Sequence, residues 1–328
     1  MQAPATICVY VGLDAFGDGL MKLPFLRALR HAFPGARITW LAGKGRSVFA
    51  HELKPLAQGL IDETVEDAGI GSRLGELWSA RPLAGRRFDL VIDTQRRVLT
   101  TLIVRRIAHG RFVSGAAGFL LSGAKPKLPY RKPAAMVRQM LDLVEAASGL
   151  PARPDAPLAL EPAVAGAAAA LLPGGPVYVG LAPGAGGRGK CWPLENFLAL
   201  AGSLACDGAT PAFILGPNEA EWAPRCAAIP GAALPLQAAA ARGIPATPML
   251  TIALARRLKA AVANDSGGGH MLAAGGVALV SLFGPTSPAK FAPLCPRLTV
   301  LRAQDFGGDS LDRIPVAAVR AALKGFGV

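Results

Sequence analysis

A strand, a helix and a second strand follow one another within the first 43 residues, and that order restricts the chain to a small set of folds. "TICVYVG" (6–12) is β-branched and apolar and reads as a buried strand. In "GDGLMKLPFLRALRHAF" (17–33), Leu20, Leu23, Leu26, Leu29 and Phe33 recur at helical spacing; Pro24 is read as lying near the start, and Pro34-Gly35 ends the helix. "RITWLAG" (37–43) is the next strand. Two strands joined through a helix form a βαβ unit, whose strands lie parallel. The alternation continues with "FDLVIDTQ" (88–95) as a strand and "VLTTLIVRRIAH" (98–109) as a helix. "RFVSGAAG" (111–118) is a strand and loop, and "AAMVRQMLDLVEAASG" (134–149) a helix closed by Gly149.

"LPARPDAPLALEP" (150–162) is rich in proline, has no period and reads as a linker. The rhythm then restarts. "PVYVGLAPGAG" (176–186) is a strand running into a Gly-rich loop, "LENFLALAGSLACDG" (194–208) a helix, and "TPAFILGPNE" (210–219) a strand. "PMLTIALARRLKA" (248–260) is a helix, "AAVAND" (260–265) a strand, "HMLAAG" (270–275) a short helix and "VALVSLFGPTSP" (277–288) a strand and turn. "DSLDRIPVAAVRAALKGF" (309–326) closes as an amphipathic helix. The expected class is therefore α/β, with two Rossmann-like doubly wound domains facing across a cleft. A length of 328 residues suits two such domains. The expected division is 1–155, 156–310 and a C-terminal helix, 311–328, packing back on the N-terminal domain. In such sheets ligands bind at the carboxyl ends of the strands, so the Gly-rich loops are expected to point into the cleft.

Five scattered cysteines, Cys8, Cys191, Cys206, Cys226 and Cys295, lack metal-ligand spacing and fit thiols in a reducing cytoplasm. The N-terminus has no basic region and meets Asp14 and Asp18 early, so it is read as a first strand, not a signal peptide. No uninterrupted apolar run of about 18 residues is present, so no membrane span is expected. The net charge is +13, with 21 Lys/Arg against 12 Asp/Glu in residues 1–150 and 14 against 10 thereafter. Nucleic acid is not expected as a partner, because no DNA- or RNA-binding signature accompanies the charge. An anionic membrane surface, a phosphorylated glycolipid and plain solubility remain open.

Three glycine-rich turns carry the candidate chemistry. In "AVANDSGGGHMLAA" (261–274) a strand ends at Asp265, and Ser266, Gly267, Gly268 and Gly269 turn into a helix. Bare backbone amides at a helix N-terminus suit a diphosphate. Asp265 would face a hydroxyl or a backbone donor, and His270 can donate to a phosphate or sugar oxygen. A tight turn with Asp265 as a cap is the alternative. "APGAGGRGKCWP" (182–193) contains Gly184 and places Lys190 as a point charge for phosphate. Cys191 follows that lysine, so the loop is not a Walker A loop. In "DAFGDGLMKLP" (14–24), Asp18 at the start of the first helix is either a cap or a general base. "GLDAFGDG" (12–19) lacks GxGxxG, which disfavours a dinucleotide-dependent oxidoreductase.

In order, "FGDGLMKLP", "PGAGGRGKCWP", "LGPNE", "NDSGGGHMLAA" and "LFGPTSP" resemble the ADP-heptose:lipopolysaccharide heptosyltransferases, glycosyltransferase family 9, over nearly the whole chain. The resemblance implies a GT-B fold and inverting sugar transfer without a metal or other cofactor. The absence of any Asp-x-Asp agrees with the missing metal. By motif, Asp18 matches the family's catalytic base and Lys190 its phosphate-binding lysine. Asp265 matches the acidic residue at the donor sugar, and Ser266, Gly267, Gly268 and His270 the turn under the diphosphate. Glu219, after Gly216-Pro217, falls near the ribose-contacting segment, and Thr286 is either near the donor cleft or purely a turn residue. Arg96 and Arg97 would meet acceptor phosphates or be a solvated helix start, and Lys22 stands near the acceptor.

The chain has Gly268-Gly269 where the family usually has Pro-Met, Gly19 where it tends to a β-branched residue, and Lys22 where many members carry a small polar residue or His. The implied partners are a nucleotide-sugar donor, ADP-sugar favoured, and an anionic glycolipid or oligosaccharide acceptor. The implied location is cytoplasmic, with at most peripheral contact at the inner face of the inner membrane. A GT-B enzyme using another nucleotide sugar, an epimerase and a non-catalytic nucleotide-binding member are the alternatives.

Overall fold

The computed structural model describes residues 3–126, 129–156 and 158–328. The chain divides into two compact units, Met1–Ala159 and Leu160–Val328, with the division inside the expected linker. The first unit holds five parallel strands: β1 (Thr6–Val11), β2 (Arg37–Ala42), β3 (Glu63–Val65), β4 (Arg87–Asp93) and β5 (Ala108–Ser114). Their order across the sheet is β3-β2-β1-β4-β5. The chain leaves β1 first to one side, through β2 and β3, and then returns to the other, through β4. Loops emerging at the carboxyl ends of β1 and β4 therefore diverge and leave a crevice between them. β1 sits in the middle because Ile7 to Val11 are all buried, which only a strand covered on both faces tolerates.

The second unit repeats the plan with β6 (Tyr178–Ala182), β7 (Thr210–Phe213), β8 (Ala260–Asn264), β9 (Ala278–Phe283) and β10 (Leu298–Arg302). All are parallel, in the order β10-β9-β8-β6-β7. Alternate residues feed two cores: Val179, Leu181, Val262 and Val280 face one, and Ala261, Ala263 and Leu279 the other. The reversal point here lies between β6 and β8, paired from Val179↔Ala260 to Ala182↔Ala263.

Several elements differ from the sequence expectations. The first helix is Phe16–Ala32, so Pro24 lies inside it and offers no amide to the Leu20 carbonyl. The second predicted helix stops at Val104, and β5 begins at Ala108, because pairing with β4 starts at Arg87↔Ala108. The helix Pro248–Ala255 is likewise shorter than its periodicity suggests, since β8 begins at Ala260. Pro162, read as the end of the linker, instead opens the helix Pro162–Leu171, for which no element was expected. β3 and β10 were not expected; they are short and only partly buried edge strands. The C-terminal helix Val316–Lys324 was expected against the N-terminal domain. Its buried residues Val319 and Leu323 instead pack with Phe197, Leu204 and Leu282 of the C-terminal unit. Arg320 also donates to Asp207 at 2.5 Å. Among the described residues no helix is long and apolar enough to cross a membrane.

Candidate functional site

In the N-terminal unit the crevice at the ends of β1 and β4 is a cavity of about 380 Å³. Asp18, Lys22, Gln95 and Arg96 line it, facing an apolar wall that includes Met21, Met136 and Met140. Asp18 lies in the first turn of the helix Phe16–Ala32, but Ala15 is the N-cap residue and no side chain caps that helix. The carboxylate accepts no hydrogen bond among the described residues, so the cap reading of Asp18 does not hold. An unbonded carboxylate lining a cavity retains its lone pairs for a substrate proton.

Lys22 also lines the cavity, but its ammonium is committed to the buried Asp14 carboxylate. Asp14 accepts further bonds from Trp40 Nε1 (2.6 Å) and Ser47 Oγ (2.9 Å). Lys22 is thus a structural counter-ion before it is a contact for anything in the cavity. Arg96 is held differently. Its guanidinium donates to the Gly115 carbonyl and to Tyr130 Oη, each at 3.1 Å, and faces no carboxylate among the described residues. Its charge stays available to an anion. Arg97 is exposed at the N-cap of the helix Val98–Val104 and does not line the cavity.

Sequence reasoning missed Asp93, the last residue of β4. Its carboxylate accepts from the Gln95 amide (2.8 Å), Thr101 Oγ1 (2.6 Å) and Ser114 Oγ (2.9 Å). These bonds shape the loop that presents Gln95 and Arg96. Burial raises its pKa to about 6 against those hydrogen bonds.

In the C-terminal unit the residues at the ends of β6 and β8 converge. The side chain of Asn264, fully buried at the end of β8, accepts from the Trp192 amide at 3.0 Å and donates to the Pro183 carbonyl at 2.7 Å. One side chain therefore fastens both ends of the loop that carries Gly184 and Lys190. The next residue, Asp265, accepts from Thr286 Oγ1 at 2.6 Å. Burial raises the Asp265 pKa, opposed by that hydroxyl and by the charge of Lys190. Lys190 is itself exposed.

Ser266 is the N-cap of the helix Gly267–Ala274, so the three glycines form its first turn and not a loop before it. None of them has a positive φ. Space is tight at Gly269, where a Cβ would stand 3.1 Å from the Asn264 carbonyl oxygen. Ser266 Oγ makes no cap bond and is buried without a hydrogen-bond partner among the described residues. A buried hydroxyl beside the free amides of a helix start can be satisfied by a water or by an anion bound there. Gly184, Gly216 and Glu219 also meet. The Glu219 carboxyl carbon lies 2.5 Å from where a Gly184 Cβ would be, and one of its oxygens 2.8 Å from that of Gly216. A side chain at either position would have to push the Glu219 carboxylate aside.

His270 is half-buried, and burial lowers its pKa to about 4. It is neutral at physiological pH and offers one N–H donor, not a cation. The unfolded imidazole takes up its proton near pH 6.5, so folding loses stability as pH falls from there toward 4. Asp93 acts with the opposite sign, because its folded form binds a proton first as pH falls below about 6. His270→Gln leaves Asp93 untouched. The expected result is a melting temperature that falls less on acidification from pH 6.5 to 4 than in the unsubstituted protein; parallel curves would contradict the neutral imidazole. Among the described residues no group of three or more His, Cys, Asp or Glu side chains is placed to hold a metal ion.

The family model described as glycosyltransferase family 9 (heptosyltransferase) matches residues 78–312. That range includes Lys190, Glu219, Asp265 and His270 and leaves Asp18 outside it. Among solved structures, the glycosyl transferase family 9 protein of Veillonella parvula is 21% identical, with a TM-score of 0.69, covering 98% of this chain and 97% of that one. The ADP-heptose lipopolysaccharide heptosyltransferase II of E. coli is 22% identical with a TM-score of 0.63, covering 98% of both chains. The E. coli heptosyltransferase WaaC with ADP is 22% identical with a TM-score of 0.64, covering 98% and 99%. These likenesses show the fold, which is the GT-B type. No curated protein matches the chain.

Proposed function

This chain belongs to glycosyltransferase family 9, the heptosyltransferases, and from that premise we propose that it moves a heptose from ADP-heptose to a lipopolysaccharide-core-like acceptor, with inversion and without a metal. The observation that carries the donor side is Ser266: a buried, unpartnered hydroxyl at the start of a glycine-built helix. The neighbouring loop with Lys190 is fastened through Asn264. A diphosphate supplies the missing acceptors for that hydroxyl and for the first helical amides. A structure of WaaC was solved with ADP-2-deoxy-2-fluoro heptose, which supports an ADP-sugar as donor.

In the proposed reaction Asp18 removes the proton from the acceptor hydroxyl as its oxygen bonds to the anomeric carbon. The bond from that carbon to the β-phosphate oxygen breaks, and its electron pair leaves with ADP. Lys190, Ser266 and the amides of Gly267 to Gly269 stabilise the charge that develops there. Asp265, held by Thr286, orients sugar hydroxyls. Arg96 attracts the anionic part of the acceptor.

Lys190→Ala is expected to weaken ADP binding roughly 10- to 100-fold, the worth of a charge-assisted hydrogen bond. Calorimetric titration checks it; unchanged affinity would remove Lys190 from the diphosphate. A thermal-shift panel of ADP, UDP, GDP and CDP tests the donor. A ligand at about 100 times its Kd adds roughly 2.7 kcal/mol. Selective stabilisation by ADP is expected, and selective stabilisation by another nucleotide would discard ADP-heptose while leaving the enzyme class intact.

A further inference from the structure

We propose that one face of the N-terminal unit docks this protein onto an anionic lipid bilayer. The face is built from the segment 73–81 and the outer side of the helix Val98–Val104. Trp78 is the most exposed large apolar side chain among the described residues, at 77%, and Leu74 beside it is 59% exposed. On the helix, Val98 and Leu102 stand four residues apart on one side and are 50% and 37% exposed. The two pieces are fixed to each other. Arg106 donates to the Glu76 carbonyl and, at 2.6 Å, to the Ser79 carbonyl. Thr100 donates to the Gly71 carbonyl at 2.8 Å, and Leu77 and Ile103 pack in one core. What remains outside is the apolar set.

The exposed charge on the two segments is of one sign. Arg73 and Arg81 flank Leu74 and Trp78 in the chain, Arg97 and Arg105 flank the helix, and all four are exposed. Residues 71–81 and 94–107 contain a single carboxylate, Glu76. That carboxylate is turned inward, accepting from the amides of Gly71 (2.6 Å), Ser72 (2.9 Å) and Arg73 (2.6 Å). Exposed tryptophan and aliphatic side chains on segments flanked by exposed arginines match the region where lipid headgroups meet acyl chains. An acidic protein would also satisfy the arginines, and the polyglutamate arm of the test separates it from a bilayer. The loop leading into this helix lines the cavity through Gln95 and Arg96, so a bilayer held here lies beside the N-terminal cavity. The proposal stands on this surface alone and does not depend on the transferase reading.

The test is sedimentation of the full chain with vesicles of phosphatidylcholine, with and without about 30% phosphatidylglycerol, at about 0.1 M salt. Binding only to the anionic vesicles is expected, with a blue shift of tryptophan emission that Trp78→Phe abolishes. Trp40 and Trp192 are fully buried and do not report on the surface; Trp222 is half-buried against the C-terminal core, and Trp78→Phe separates its signal. Arg81→Ala/Arg105→Ala is expected to weaken binding roughly 30-fold, from about 1 kcal/mol per arginine. All three positions are exposed, so melting temperature should not change. No binding to anionic vesicles, or binding that these substitutions leave unchanged, would overturn the proposal. Equal binding to soluble polyglutamate without the Trp78 shift would overturn it in favour of an acidic protein partner.

Discussion

Asp18→Asn is expected to lower turnover about 10²–10⁴-fold, the usual contribution of a general base, while ADP affinity stays unchanged. Asparagine keeps the volume and polarity of the side chain but accepts no proton at neutral pH. Asp18 neither caps its helix nor accepts a hydrogen bond among the described residues, so its removal frees no buried donor. The fold should therefore tolerate the change, with melting temperature within the range of an ordinary surface substitution. Measuring kcat with saturating donor and acceptor, and ADP binding by titration, separates the two effects. Turnover within a few-fold of the unsubstituted enzyme would remove Asp18 from the chemistry. A parallel loss of ADP binding would place it with the donor instead.

Asn264→Leu is expected to cost about 2–5 kcal/mol of stability and, where the protein still folds, at least tenfold in ADP affinity. Leucine is similar in size, so the loss comes from hydrogen bonds and not from a cavity. It would strand the Trp192 amide and the Pro183 carbonyl, both now satisfied by the Asn264 side chain. Each buried polar group left without a partner costs about 1–3 kcal/mol. The loop between them carries Lys190, so a slack loop also misplaces the lysine. Asn264→Asp tests the same two bonds. Aspartate still accepts from Trp192 but, when ionised, sets a desolvated charge against the Pro183 carbonyl, so at neutral pH it should be at least as unstable as Asn264→Leu and should recover on acidification, where the protonated carboxyl donates. Chemical denaturation and ADP titration on both variants give the answer, and a fully stable Asn264→Leu protein would refute the clamp.

How much of this was legible in the sequence depends on how local the cause is. β1, β4, β6, β8 and β9 were readable because buried parallel strands are near-continuous apolar runs. The glycine turn after β8 was readable because its glycines, Asp265 and Ser266 are contiguous. The end of the helix at Val104 was not, because "RRIAH" is compatible with a helix and only the register of β5 against β4 decides otherwise. Lys22 was read as facing an acceptor because Asp14, Trp40 and Ser47 enclose the ion pair from positions 26 and 33 residues apart in the chain. Asn264 was passed over for the same reason, since its partners lie 72 and 81 residues away. The terminal helix shows a plain amphipathic pattern, and amphipathicity says that a face is buried without saying against what.

Three consecutive glycines in the first turn of the helix Gly267–Ala274 have a consequence for motion as well as for space. Glycine is about 1 kcal/mol less favourable than alanine in a helix because its backbone has more freedom to lose. This turn is therefore held by its surroundings more than by its own propensity, and its order is weakest at its free amides. An anion bonded there would arrest that freedom, and part of its binding energy would go into ordering the turn. A tightly bound leaving group would then be released more readily than its contacts alone suggest, because its departure returns entropy to the backbone.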